Sequence, residues 1–124
     1  KKMDEILELS KTHLVIIPSY NTGILLKKTV AEALQQWTPV WVVIDGSDDG
    51  SEKLLSAMEA DHLNKLRIIQ SSQNSGKGAA LLKGVSQAQA DGFTHVLTMD
   101  ADYQHPANYI KQYMKYMMLK IHQI

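Results

Sequence analysis

The sequence contains no cysteine, which excludes disulfide staples and thiolate metal sites and fits a cytosolic protein. It has no excess charge of either sign, because 13 Lys and Arg balance 13 Asp and Glu. A balanced chain offers no general field for gripping nucleic acid, whose binders carry a basic face. No apolar run approaches the ~20 residues needed to cross a bilayer. The opening Lys1-Lys2-Met3-Asp4-Glu5 contains acids and lacks the apolar centre of a signal peptide. Internal repeats, low-complexity stretches and Pro/Gly-rich linkers are also missing, so the 124 residues read as one domain.

What is present is an ordinary globular composition, 44% apolar and 21% charged, enough to build a core. Four short apolar runs recur: His13 to Ile17, Val40 to Ile44, Leu66 to Gln70 and His95 to Met99. Their near-continuous apolar character, without strict alternation, predicts strands covered on both faces. Helical periods separate them. Leu26, Val30, Leu34 and Trp37 form one stripe, and Leu54, Leu55 and Met58 a second, after Asp49-Gly50-Ser51 as capping groups. Leu81, Leu82, Val85 and Ala88 form a third. A fourth is expected from Pro106 through Ile110, Met114, Met117 and Ile121. This alternation predicts an α/β fold, a doubly wound, mainly parallel sheet joined by right-handed crossovers. In such a sheet ligands bind beyond the carboxyl ends of the strands.

The four segments at those ends carry the chemistry. Asp100-Ala101-Asp102 places two carboxylates one residue apart. It serves either as a ligand for a hard cation such as Mg²⁺, shared with substrate phosphates, or as a polar turn with helix-capping acids. Asp45, closing the second run, either accepts hydrogen bonds from a nucleobase or supports the turn into the next helix. Tyr20 and Asn21 follow Pro18, where a ring can stack on a base and an amide can read an edge; a plain strand-to-helix turn is the other reading. Asn74-Ser75-Gly76-Lys77-Gly78 opens the third helix, with glycines for close backbone approach and Lys77 for a phosphate, or as a glycine-rich turn alone. Its spacing is neither that of a Walker A loop nor that of a dinucleotide fingerprint. The histidines at 13, 62, 95, 105 and 122 show no zincin spacing; most read as surface or strand-edge residues, and His105, three residues after Asp102, as a helix-start residue before Pro106.

Taken together, VIIPSYN (15–21), VVIDGSDDGS (42–51), NSGKGAALLKG (74–84) and LTMDADYQHP (97–106) resemble family 2 glycosyltransferases with the GT-A fold. They look closest to the branch that includes dolichol-phosphate sugar synthases. The resemblance implies a UDP- or GDP-linked sugar donor, a Mg²⁺ or Mn²⁺ cofactor, a lipid or saccharide acceptor, and inversion at the anomeric centre. By position, it implies that Pro18, Tyr20 and Asn21 form the nucleoside pocket and that Asp45 contacts the base. Gly76 and Lys77 would border the donor, with Asp100, Ala101 and Asp102 among its binding residues, Asp100 near the ribose or the metal and Asp102 binding the metal. Two departures stand out: Ile44 replaces a frequent first acid before Asp45, and Tyr103 stands where glycine is frequent. The resemblance further implies a donor-binding N-terminal part of a longer domain, cytoplasmic and peripheral to the inner face of the membrane. In that case the apolar residues of the fourth helix, Ile121 included, would lack cover. A non-catalytic nucleotide-binding module is the alternative. A sugar nucleotidyltransferase is a third reading, opposed by Pro18-Ser19-Tyr20-Asn21 where that class has a glycine-rich loop.

Overall fold

Four apolar runs pair side by side in the computed structural model, which describes residues 9–20, 24–46, 50–71, 76–99 and 119–121. They form β1 (His13–Ser19), β2 (Val40–Asp45), β3 (Leu66–Ser71) and β4 (His95–Thr98), all parallel. Helices α1 (Ile24–Gln36), α2 (Ser51–Asp61) and α3 (Lys77–Ala90) alternate with them. A fifth strand, β5 (Leu119–Lys120), runs antiparallel to β4, and the sheet order is β3-β2-β1-β4-β5.

Strand parity explains the layers. Val15, Ile17, Val40, Val42, Ile44 and Leu97 project to one face, where they pack with Leu26, Val30 and Leu34 of α1 and Leu55 of α2. Leu14, Ile16, Trp41, Val43 and Val96 project to the other, against Ala80, Val85 and Ala88 of α3. This is the expected doubly wound α/β arrangement. Leu14, Val15, Ile16 and Ile17 are completely buried, and each such side chain contributes roughly 1.5–3 kcal/mol. That outweighs an exposed ion pair such as Arg67–Asp91, at 3.0 Å, which contributes about 0–1 kcal/mol. Gly84 lets α3 sit close to the sheet: a Cβ there would meet Val43 Cγ2 at 3.0 Å and Ile16 Cγ2 at 3.3 Å.

The structure differs from the sequence reading in three places. First, Leu119–Lys120 is a strand rather than the end of a fourth helix. Its neighbour Ile121 is buried with Trp41, Val43 and Val96, and donates its N–H to Thr94 O at 2.8 Å. Ile121 therefore has cover, supplied by the β4 edge and the α3 face. The rest of that helical pattern, Ile110, Met114 and Met117 included, lies outside the described residues. Second, Leu82 does not join the α3 stripe. It is exposed, and Ala80 takes its place in the core. Third, β1 extends through Pro18 to Ser19, so these two residues belong to the sheet and not to a loop after it, while Asp45 closes β2 as expected. Gly50 precedes α2 with a left-handed φ of 82°, and the side chains of Asp49 and Ser51, expected to cap that helix, lie outside the described residues.

Candidate donor-binding site at the carboxyl ends of the strands

The path of the chain selects one end of the sheet. From β1 it winds outward through β2 to β3, then returns to the other side of β1 as β4. The helices change face at the same step. The crevice between the carboxyl ends of β1 and β4 is thus the switch point where ligands bind in such sheets. Backbone bonds hold the rim of this end. Met99 N–H donates to Ile16 O at 3.0 Å, and Gly46 N–H to Ser71 O at 2.8 Å.

Pro18 is buried in β1, paired with Val43 of β2. Ser19 is buried beside it, and Tyr20 emerges immediately after, 48% exposed. A half-exposed aromatic ring at this position offers a stacking surface.

Asp45 is the end of β2 and is only 2% exposed. Strand parity puts it on the α3 face with Trp41 and Val43. There its Oδ2 accepts the Gly76 N–H at 2.9 Å. Gly76 precedes α3 with φ 96° and ψ 161°, a conformation that side-chain-bearing residues rarely adopt. Open space surrounds a Cβ placed there, so backbone conformation and not crowding makes glycine the fit. Gly76, the residue before α3, has no side chain with which to cap it. The Asp45 carboxylate, from a strand 31 residues away in sequence, stands at the positive end of that helix, a favourable placement for an anion.

These residues bring two of the four sequence segments into direct contact. Lys77 begins α3, and its side chain lies outside the described residues, as do Asn21, Asp100, Ala101 and Asp102. Among the described residues no group of three His, Cys, Asp or Glu side chains could hold a metal. The two acids that follow Met99 are a hard oxygen donor set, chemically suited to Mg²⁺ or Mn²⁺ together with phosphate oxygens.

A groove of about 820 Å³ opens at the opposite end, by the amino ends of the strands, lined by Leu9, Pro39, Trp41, Arg67 and Phe93 among others. The Arg67 guanidinium lies 4.8 Å from the centroid of the Trp41 ring, and Phe93 meets that ring edge-on at 5.6 Å. It holds none of the segments singled out in the sequence, and ligands of doubly wound sheets bind at the other end. Sequence reading passed over two features here and in the core. Gly84 gave no signal beyond its place in NSGKGAALLKG, and the stacking of the His13 and His95 rings, partners across β1 and β4, depends on strand register.

Comparison with known proteins bears on the same segments. The family model of glycosyl transferase family 2 matches residues 14–119. An undecaprenyl-phosphate 4-deoxy-4-formamido-L-arabinose transferase of Pectobacterium carotovorum is 33% identical over 109 residues, covering 82% of this chain and 32% of the relative. The protein of that name in Aeromonas hydrophila is 36% identical over 98 residues, covering 74% of this chain and 29% of its own length. The chain thus spans about a third of the curated relatives it matches. Among solved structures, S. aureus TarS 1–349 aligns with a TM-score of 0.61 over 82% of this chain and 33% of that one. At 24% identity this likeness carries the fold alone.

Proposed function

The chain belongs to glycosyl transferase family 2, and on that premise we propose that it forms the donor-binding part of an enzyme moving a sugar from a nucleoside diphosphate to an acceptor. The nucleoside pocket consists of Pro18, Tyr20 and Asn21, with Asp45 at its base end. Gly76 and Lys77 border the donor, and Asp100, Ala101 and Asp102 surround its diphosphate. The donor is UDP- or GDP-linked. Transfer inverts the anomeric centre by direct displacement.

Asp100 and Asp102 would hold Mg²⁺ or Mn²⁺, which when bound would supply charge neutralisation to the leaving diphosphate. The carboxylates of this chain fix where that charge is met. Tyr20 contributes stacking area, and the buried ends of β1 and β2 keep the pocket wall rigid. The relatives' names refer to undecaprenyl phosphate, which supports a polyprenyl-phosphate acceptor, and on that reading the whole protein works at a membrane surface on the cytoplasmic side. No helix of the described residues is long and apolar enough to cross a membrane.

One observation carries this reading: the bond from Gly76 N–H to Asp45 joins two of the family's segments at the carboxyl end of the sheet, next to the switch point. Calorimetric titration of UDP and GDP, with and without Mn²⁺, tests it. Metal-dependent binding of one nucleotide, lost in Asp102→Ala and weakened in Tyr20→Ala, is the expected result. Binding that ignores both substitutions contradicts it.

A further inference from the structure

β5 is lightly held. It has two residues, Leu119 and Lys120, and among the described residues it pairs along one edge, with β4. Just beyond it the Ile121 N–H donates to Thr94 O at 2.8 Å, and the Ile121 side chain is buried in the α3-face cluster with Val43 and Val96. So short an element opens at a fraction of the cost of unfolding the sheet.

The other face of the same edge carries a row of basic side chains. His13 is the register partner of His95, and His95 that of Lys120. Register partners share a face, here the α1 face, because His13 has the parity of Val15 and Ile17. The two imidazoles stack at 4.3 Å, and each Nδ1 shares a hydrogen bond with a neutral threonine hydroxyl. Neither ring is ion-paired among the described residues. Lys11, two residues before His13, adds charge of the same sign, and Glu32 is the one acid of α1. The Arg67–Asp91 pair stands on the α3 face, beside Trp41. Burial, and then the charge of His95, disfavour a proton on His13. A proton entering the pair therefore settles on His95, directly opposite Lys120. Like charges so placed destabilise a strand pair.

We propose that His95, flanked by His13 and Lys120, is a pH-sensitive latch on β5: when its imidazole takes up a proton, β5 and Ile121 detach from the β4 edge while the four parallel strands stay folded. Detachment leaves backbone groups of β4 unpaired and uncovers Val96. The latch lies at the amino ends of β1 and β4 and does not depend on the donor reading.

The test follows amide hydrogen exchange by NMR at pH 7 and pH 5 in the 124-residue chain. It reads Ile121 against Met99, whose N–H donates to Ile16 O at 3.0 Å at the far end of β4. Protection factors are corrected for the intrinsic pH dependence of exchange. From pH 7 to pH 5, Ile121 should lose about threefold or more in protection beyond any loss at Met99. In Lys120→Gln and in His95→Gln that extra loss should shrink to less than about twofold. An Ile121 amide already unprotected at pH 7 overturns the proposal, because there is then no closed strand to release. A loss at Ile121 no greater than at Met99 overturns it as well, as does an extra loss that persists in either variant.

Discussion

His13 and His95 lie ring on ring across β1 and β4, with centroids 4.3 Å apart and planes 5° from parallel. They are register partners, and each Nδ1 shares a hydrogen bond with the hydroxyl of the preceding threonine, Thr12 at 2.7 Å and Thr94 at 2.8 Å. Lys120 of β5 is the register partner of His95 on its other side. Partial burial, and then the charge of His95, hold the His13 imidazole below its ordinary pKa of 6.5.

The sign of the pH effect follows. Between its lowered folded pKa and 6.5, His13 binds more protons in the unfolded chain than in the folded one. Stability therefore rises with pH through that window. The contribution is fully present above 6.5 and is lost as pH falls through the folded value. Melting temperature should fall from pH 7 to pH 5, and the fall should be shallower in His13→Gln. Equal slopes in the two proteins would remove the histidine pair as the cause.

Gly84 and Gly78 lie in the same helix and predict opposite effects. Alanine at Gly78 meets open space and should stabilise by up to about 1 kcal/mol through helix propensity. Alanine at Gly84 gains the same propensity but drives a methyl against Val43 and Ile16, both completely buried and unable to move aside. Overpacking costs about 1–3 kcal/mol, so Gly84→Ala should be net destabilising, and Gly84→Val more so. Urea denaturation of the three variants checks the order.

The edge of β3 is guarded by two side chains. Glu59 Oε2 accepts the Ile68 N–H at 2.8 Å, and Lys83 Nζ donates to Gln70 O at 3.0 Å. An open edge invites pairing with another chain. Glu59→Ala should cost about 1–2 kcal/mol and promote self-association, visible by light scattering as mass that grows with concentration. A variant as monodisperse as the parent would show that Lys83 and the twist of the edge suffice.

Much of this was legible in the sequence because burial on both faces leaves a plain mark. The runs at Val15 and Val42 are apolar on consecutive residues and are buried in β1 and β2. The run at Ile69, expected to be covered on both faces, is instead the edge strand β3, where Arg67 and Gln70 are exposed. The stripe Leu26, Val30, Leu34 likewise reports the face α1 buries. β5 left no such mark. A two-residue strand is specified by the β4 edge it completes, and Ile121 has the same apolar character in a helix or beside a strand. Asp45 was legible as a residue at a strand end, but its partner Gly76 was not, because that bond depends on where α3 docks. His13 and His95 looked unrelated for the same reason, since strand order alone makes them neighbours. For Asn21, Asp100, Ala101 and Asp102, the family's segments carry the assignment.

The central claim is that the nucleotide binds at the carboxyl ends of the strands and not in the groove by Trp41. Backbone amide NMR shifts recorded while UDP or GDP is added with Mg²⁺ test it most directly. The account predicts shifts concentrated at Tyr20, Gly46, Gly76 and Met99, with Arg67, Asp91 and Phe93 unmoved. Shifts gathered around Arg67 and Phe93, with Tyr20 and Gly76 silent, would contradict it.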